Sequence, residues 1–134
     1  MNVTDLRFEL LSRIRENETI FFPLMKANKS LRQLRGMPLV YPGTDVVIEG
    51  YFRCANTFAA LAFVDAQRKP VILANHSHAP ATIDRSVRLG IPTLLLIRDP
   101  QEMALSHVLK HPGLSLESTL KWYTRYYEHI WHHR

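Results

Sequence analysis

From residue 45 onward short apolar runs alternate with helical patterns, and this constrains the fold more than any other feature of the chain. "DVVIE" (45–49), "PVILAN" (70–75) and "IPTLLLI" (91–97) each suit a short buried strand. Between them, a helix is expected from about Thr57 to Gln67, and a shorter one over 81–89 that stops at Gly90. After the third run, "RDPQEMALSHVLK" reads as turn into helix. Asp99 is the N-cap, Pro100 takes the first helical position and Glu102 completes a capping box. A last helix over 115–132 aligns Leu116, Leu120, Tyr123, Tyr127 and Ile130 on one face. Apolar strands alternating with helices predict an α/β fold, a parallel sheet with helices in three layers.

Upstream, residues 4–16 place Leu6, Leu10, Leu11 and Ile14 on a helical face, with Asp5 near the start. "FFPLMKANKSLRQLRG" predicts a second helical piece that follows Pro23 and stops at Gly36. "MPLVYPG" is then a connector. The chain divides into a helical N-terminal extension, 1–43, and an α/β part, 44–134. At 134 residues there is room for one domain with a real core.

The excess of 17 Lys+Arg over 12 Asp+Glu, a net +5, suits either solubility or an anionic ligand. Cys54 is the lone cysteine, which excludes an intrachain disulfide. The first residues mix Asp, Arg and Glu into their apolar positions, unlike a secretory signal, and the apolar runs are too short for a membrane span. A cytoplasmic location is the expectation. Nucleic-acid binding is not expected, because Arg7, Arg13, Arg15, Lys26, Lys29, Arg32 and Arg35 are scattered rather than interleaved with aromatics.

Ligands of parallel α/β sheets bind beyond the carboxyl ends of the strands. Three polar stretches fall there: "GYFRCANT", "HSHAP" and "RDPQEMALS". The first has the layout of a phosphate-binding loop, from strand to turn to helix N-terminus. Gly50 opens the spacing G-x-x-x-x-G-K-[ST], but Ala55, Asn56 and Thr57 occupy its last three positions. The Lys is missing and Arg53 lies inside the loop. Backbone N–H groups, Arg53 and Thr57 together suit a phosphate. The plain alternative is a strand–helix turn with an incidental Arg.

In the second stretch, His76 and His78 are two apart and would project to one side of an extended chain. A neutral imidazole there suits a general base, a protonated one suits developing negative charge, and two surface histidines are the plain alternative. In the third, Arg98 follows six apolar residues and faces either the ligand rim or a carboxylate, Asp99 or Glu102. His129, His132 and His133 are read as a polar terminus rather than a metal site. The aromatics Trp122, Tyr123, Tyr126 and Tyr127 are core or partner-facing at helical spacing.

These segments resemble the sulfotransferase family over roughly residues 44–128, nearest to bacterial sulfotransferase-like proteins with an "EGxPRSANTF" loop. "YFRCANTF" is similar to that family's phosphosulfate loop Y-P-K-S-G-T-T-W, "HSHAP" to K-T-H-L-P, and "RDPQEMALS" to R-[ND]-P-x-[DE]-x-x-x-S. The resemblance implies a P-loop NTPase-like fold and 3′-phosphoadenosine 5′-phosphosulfate (PAPS) as sulfuryl donor. It assigns the donor to Arg53, Cys54, Ala55, Asn56, Thr57 and Phe58 at the phosphosulfate and adenine. Arg98 and Ser106 would hold the 3′-phosphate. His78 would take the proton of a small-molecule or carbohydrate hydroxyl, with Arg53 and His76 countering charge on the leaving oxygen. A sulfuryl group carries less charge than a phosphoryl group, so no metal is implied. The family's domain is longer, so the resemblance also implies an apparently incomplete, truncated member. The alternatives are an inactive nucleotide-binding remnant and a P-loop small-molecule kinase. No motif speaks to acceptor identity or oligomeric state.

Overall fold

A computed structural model describes residues 2–28 and 38–132. Two helices come first. In α1, Val3–Glu16, the Asn2 side chain accepts a bond from the Asp5 N–H at 2.8 Å. Asn17 caps α2, Glu18–Ala27, in the same way through the Ile20 N–H. The second helix therefore differs from expectation: it starts before Pro23 and carries that proline inside. The Asn17 side chain satisfies one first-turn donor, the Ile20 N–H, and the proline removes one later intrahelical bond. The stop expected at Gly36 lies outside the described residues.

The α/β part runs β1 Val46–Gly50, α3 Asn56–Asp65, β2 Leu73–Asn75, α4 Pro80–Arg88, β3 Thr93–Leu96, α5 Pro100–Lys110 and α6 Leu116–His132. Its sheet has three strands in the order β2-β1-β3, both pairings parallel, with Val47 opposite Ala74 and Ile48 opposite Leu94. The strand expected over 70–75 keeps only its last half. Pro70 has no N–H to give a ladder, and the Ile72 N–H is taken by the Asp45 side chain at 2.8 Å.

The chain steps from β1 to β2 in one direction and from β2 to β3 in the other. Right-handed crossovers then put α3 and α4 on opposite faces of the sheet. They also leave a switch of direction beside β1, which opens a crevice at the carboxyl ends of β1 and β3. The α4 face carries most of the core. Val47 and Ala74 pack with Phe21, Phe22, Val40 and Ile91, while Met103, Trp122, Tyr126 and Ile130 build a second cluster.

The buried face of α6 differs from the expected one: Thr119, Trp122, Tyr123, Tyr126 and Ile130 are buried, and Leu116 is half exposed. The cause is α1, whose Phe8 stacks on Trp122 at 4.7 Å. On the same side, Glu9 and Glu16 pair with Arg125 at 2.7 and 2.5 Å.

No helix among the described residues is long and apolar enough to cross a membrane.

Candidate active site

The loop between β1 and α3 is bound at both ends. Gly50 closes β1 where a Cβ would come within 2.7 Å of the Leu96 carbonyl oxygen, so no larger residue fits against β3. Asn56 turns its amide back onto the Tyr51 carbonyl at 2.9 Å. The Tyr127 hydroxyl donates to the Leu96 carbonyl at 2.6 Å and accepts from the Tyr51 N–H at 3.3 Å, tying β3 to the loop. Between these ties the chain takes left-handed φ at Arg53 (63°) and Ala55 (61°). Ala55 is the N-cap of α3 and supplies no side-chain bond, so that helix's first N–H groups have no side-chain cap. An uncapped helix N-terminus favours an anion.

Six basic side chains line the cleft in front of it: Arg53, His76, His78, Arg98, Lys110 and His111. Its volume is about 370 Å³, and no carboxylate is among its lining residues. Arg98 donates to the Arg53 carbonyl at 3.0 Å and also meets Glu102 at 3.4 Å, so it satisfies both readings of a strand-terminal Arg. Glu102 thus faces Arg98. The Asp99 carboxylate alone caps α5, accepting from Gln101 and Glu102 at 3.0 and 2.9 Å.

His76 and His78 do not lie on extended chain. Both have left-handed φ, 66° and 49°, and their rings are 5.1 Å apart. What holds this loop is Glu49, the buried penultimate residue of β1. One carboxylate oxygen accepts the Ser77 N–H and hydroxyl, each at 2.7 Å, and the other accepts the His78 N–H at 3.1 Å. Complete burial pushes the Glu49 carboxyl up to about 7, against the lowering pull of those same bonds.

The His78 ring lies 2.9 Å from the Gly50 carbonyl through Nδ1. A carbonyl only accepts, so Nδ1 carries the proton and Nε2 keeps a lone pair. Burial pushes His78 down to about 3, so it is neutral at pH 7. Burial also lowers His76, with Lys110 adding to the effect. The His76 Nε2 stands 3.4 Å from the Thr57 hydroxyl.

The structure brings most of the expected residues together. Arg53, Ala55, Asn56, Thr57, Phe58, His76, His78 and Arg98 line one cleft. Phe58 is three-quarters exposed at its edge, open for stacking. Two expected side chains do not line it. Cys54 is buried with its sulfur 3.6 Å from the Tyr127 hydroxyl, and the Ser106 hydroxyl is 2.9 Å from Arg53 Nε. The residues expected at two different phosphates, Arg53 and Ser106, thus hold each other.

Sequence reasoning missed Glu49, Lys110 and His111, which read as a strand end and a polar helix end until the fold supplies their neighbours. It also missed His107, which is fully buried, lies parallel to Phe52 at 5.1 Å, and has no partner for either ring nitrogen. Burial pushes it down to about 4. Among the described residues no cluster of three or more His, Cys, Asp or Glu is placed to hold a metal ion.

No family model, no curated protein and no solved structure matches the chain.

Proposed function

We propose that this chain is a sulfotransferase-like protein with a P-loop-like three-layer α/β/α fold, which binds PAPS in the cleft and transfers its sulfuryl group to a hydroxyl. One observation carries the reading. A neutral His78, with Nδ1 bound to Gly50 and Nε2 free to accept, lines the same cleft as Arg53, Arg98 and the uncapped start of α3, with no carboxylate among the lining residues.

In this reading the acceptor oxygen attacks sulfur as the bond from sulfur to the 5′-phosphate oxygen breaks. The electron pair leaves on that phosphate, the acceptor proton passes to His78 Nε2, and the products are the sulfated acceptor and 3′-phosphoadenosine 5′-phosphate (PAP). Arg53 and His76 lie where charge develops on the leaving oxygen, and Thr57 orients it. A base held near 3 is weak, and an anion beside it raises that value toward the working range. Donor entry also exchanges the Arg53–Ser106 bond for charge-assisted bonds to the two phosphates.

The kinase reading loses support, because Asn56, at the position of the Walker Lys, is buried and bonded to its own loop. The remnant reading is favoured by the Arg53–Ser106 contact, which joins two phosphate seats.

Calorimetric titration with PAP tests the proposal, with adenosine 5′-phosphate and Arg98→Ala as controls. Binding that needs both the 3′-phosphate and Arg98 supports it. No binding of PAP to the folded chain overturns it. PAP binding without sulfuryl transfer from PAPS to any of a broad set of hydroxyl compounds would leave the remnant.

A further inference from the structure

The donor reading uses the loop after β1, the histidine loop and the start of α5, and leaves the far end of α5 without a role. Lys110 and His111 are exposed there, yet both line the cleft. About 15 Å of helix axis separate Pro100 from Lys110, at 1.5 Å per residue. Arg98 and Lys110 therefore enter the cleft from opposite ends of α5. Between the two ends sits Ser106, bonded to Arg53, and Lys110 is one turn further along the same face of α5. The basic lining is thus a strip, with Arg98 at one end, the reacting groups in the middle and Lys110–His111 at the other.

Lys110 lies on the histidine side of this strip. Burial lowers both His76 and His111, and the Lys110 ammonium adds to the effect on each. A helix C-terminus favours a nearby cation whatever its surroundings, which accounts for a Lys at this position. It does not account for a cleft wall that carries Lys110, His111 and His76 without an intervening carboxylate.

We infer that Lys110 and His111 form an anion subsite on the acceptor side, so that the hydroxyl compound taken by this cleft carries an acidic group of its own. The inference rests on the sulfotransferase reading of the same site. An acceptor hydroxyl at His78 Nε2 sits between the donor and this pair, with its carboxylate, sulfate or phosphate toward Lys110. Lys110 repels a cationic acceptor, and the pair gives a neutral one nothing in return for desolvating the strip.

The test is binding to protein saturated with PAP, using probes matched in shape. A tetrasaccharide of alternating glucuronate and N-acetylglucosamine is compared with the neutral N-acetylglucosamine tetrasaccharide, and 4-hydroxyphenylacetate with 4-ethylphenol. The acidic member of at least one pair should bind about tenfold tighter than its neutral partner, as one charge-assisted contact provides. The double variant Lys110→Ala/His111→Ala should bring the two members within about twofold, with PAP affinity shifted less than about threefold. Equal binding within both pairs, no binding of either acidic probe, or a preference that survives the double variant would each overturn the inference while the donor reading stands. A loss of PAP affinity as large as that for the acidic probe would assign Lys110 to the donor instead. Failure of PAP to bind the unaltered chain would remove the donor reading, and this inference with it.

Discussion

The two faces of the sheet are covered very differently. β1 itself is buried on both faces, Val47 and Glu49 toward α4 and Ile48 toward α3, but on the α4 side α1 and α6 add a further layer joined by aromatic stacking and ion pairs. The opposite side carries α3, which buries only Asn56 and Ala60. Phe58 and Leu61 point outward at 75% and 67% exposure, and Leu94 of β3 is half exposed. Both helices α3 and α6 are rich in apolar residues. Only α6 concentrates them on one face, and that concentration decides what burial a helix can secure. The site draws on both sides. Its backbone N–H groups come from the lightly covered α3, and its base is aimed from the sealed side, through Glu49.

The contrast predicts a graded set of outcomes. Trp122→Ala should destabilise most, by about 3–5 kcal/mol, because it removes a buried ring from Phe8 and the indole N–H from Glu9. Chemical denaturation measures this, and a loss under 1 kcal/mol would mean that α1 does not seal that face.

His107 gives the next effect. Its folded value lies below its unfolded one, so the unfolded chain takes up the proton first and stability falls as pH drops from about 6.5 toward 4. At pH 5 the fall from this residue is about 2 kcal/mol. His107→Phe should flatten that part of the stability–pH curve, and an unchanged curve would mean the ring is not buried neutral.

Ala55→Gly, on the α3 side, relieves a left-handed residue and should stabilise by about 0.5–1 kcal/mol; a loss would show that the loop relaxes away from φ 61°. Smallest of all, Leu61→Ala should stay within about 0.5 kcal/mol of the unaltered chain. A cost above 2 kcal/mol would mean that α3 is covered in solution, and the comparison of faces would fail.

Local chemistry is legible in the α/β part but misleads at α2, where Pro23 hides a helix begun at the Asn17 cap. The three strands follow from their apolar runs, and the α5 start from Asp99 and Pro100. The parallel sheet follows from alternation. Long-range partners account for the rest. Glu49 looks like an ordinary strand end until Ser77 and His78, in a loop 28 and 29 residues on, arrive to bind it. The inward turn of Trp122 and Tyr126 needs α1, more than a hundred residues upstream. Left-handed φ at four non-glycine residues, Arg53, Ala55, His76 and His78, leaves no trace in composition. Lys110 and His111 look like helix-end polar residues until the fold sets them across from His76. The positions that carried the family resemblance were legible because they cluster in three short loops.

The central claim is that these three loops make one anion site with His78 as its base. Long-range proton–nitrogen correlation spectra of the histidine rings, recorded as PAP is added at pH 7, test it most directly. The account predicts that His78 starts as the neutral Nδ1–H form, and that its Nε2 resonance moves toward the protonated value together with that of His76. His129, paired with Asp84 at 2.8 Å on the far helix, should stay in place. A His78 already protonated, or proton-bearing at Nε2 instead, would contradict the account, as would PAP binding that moves His129 and leaves His76 and His78 unshifted.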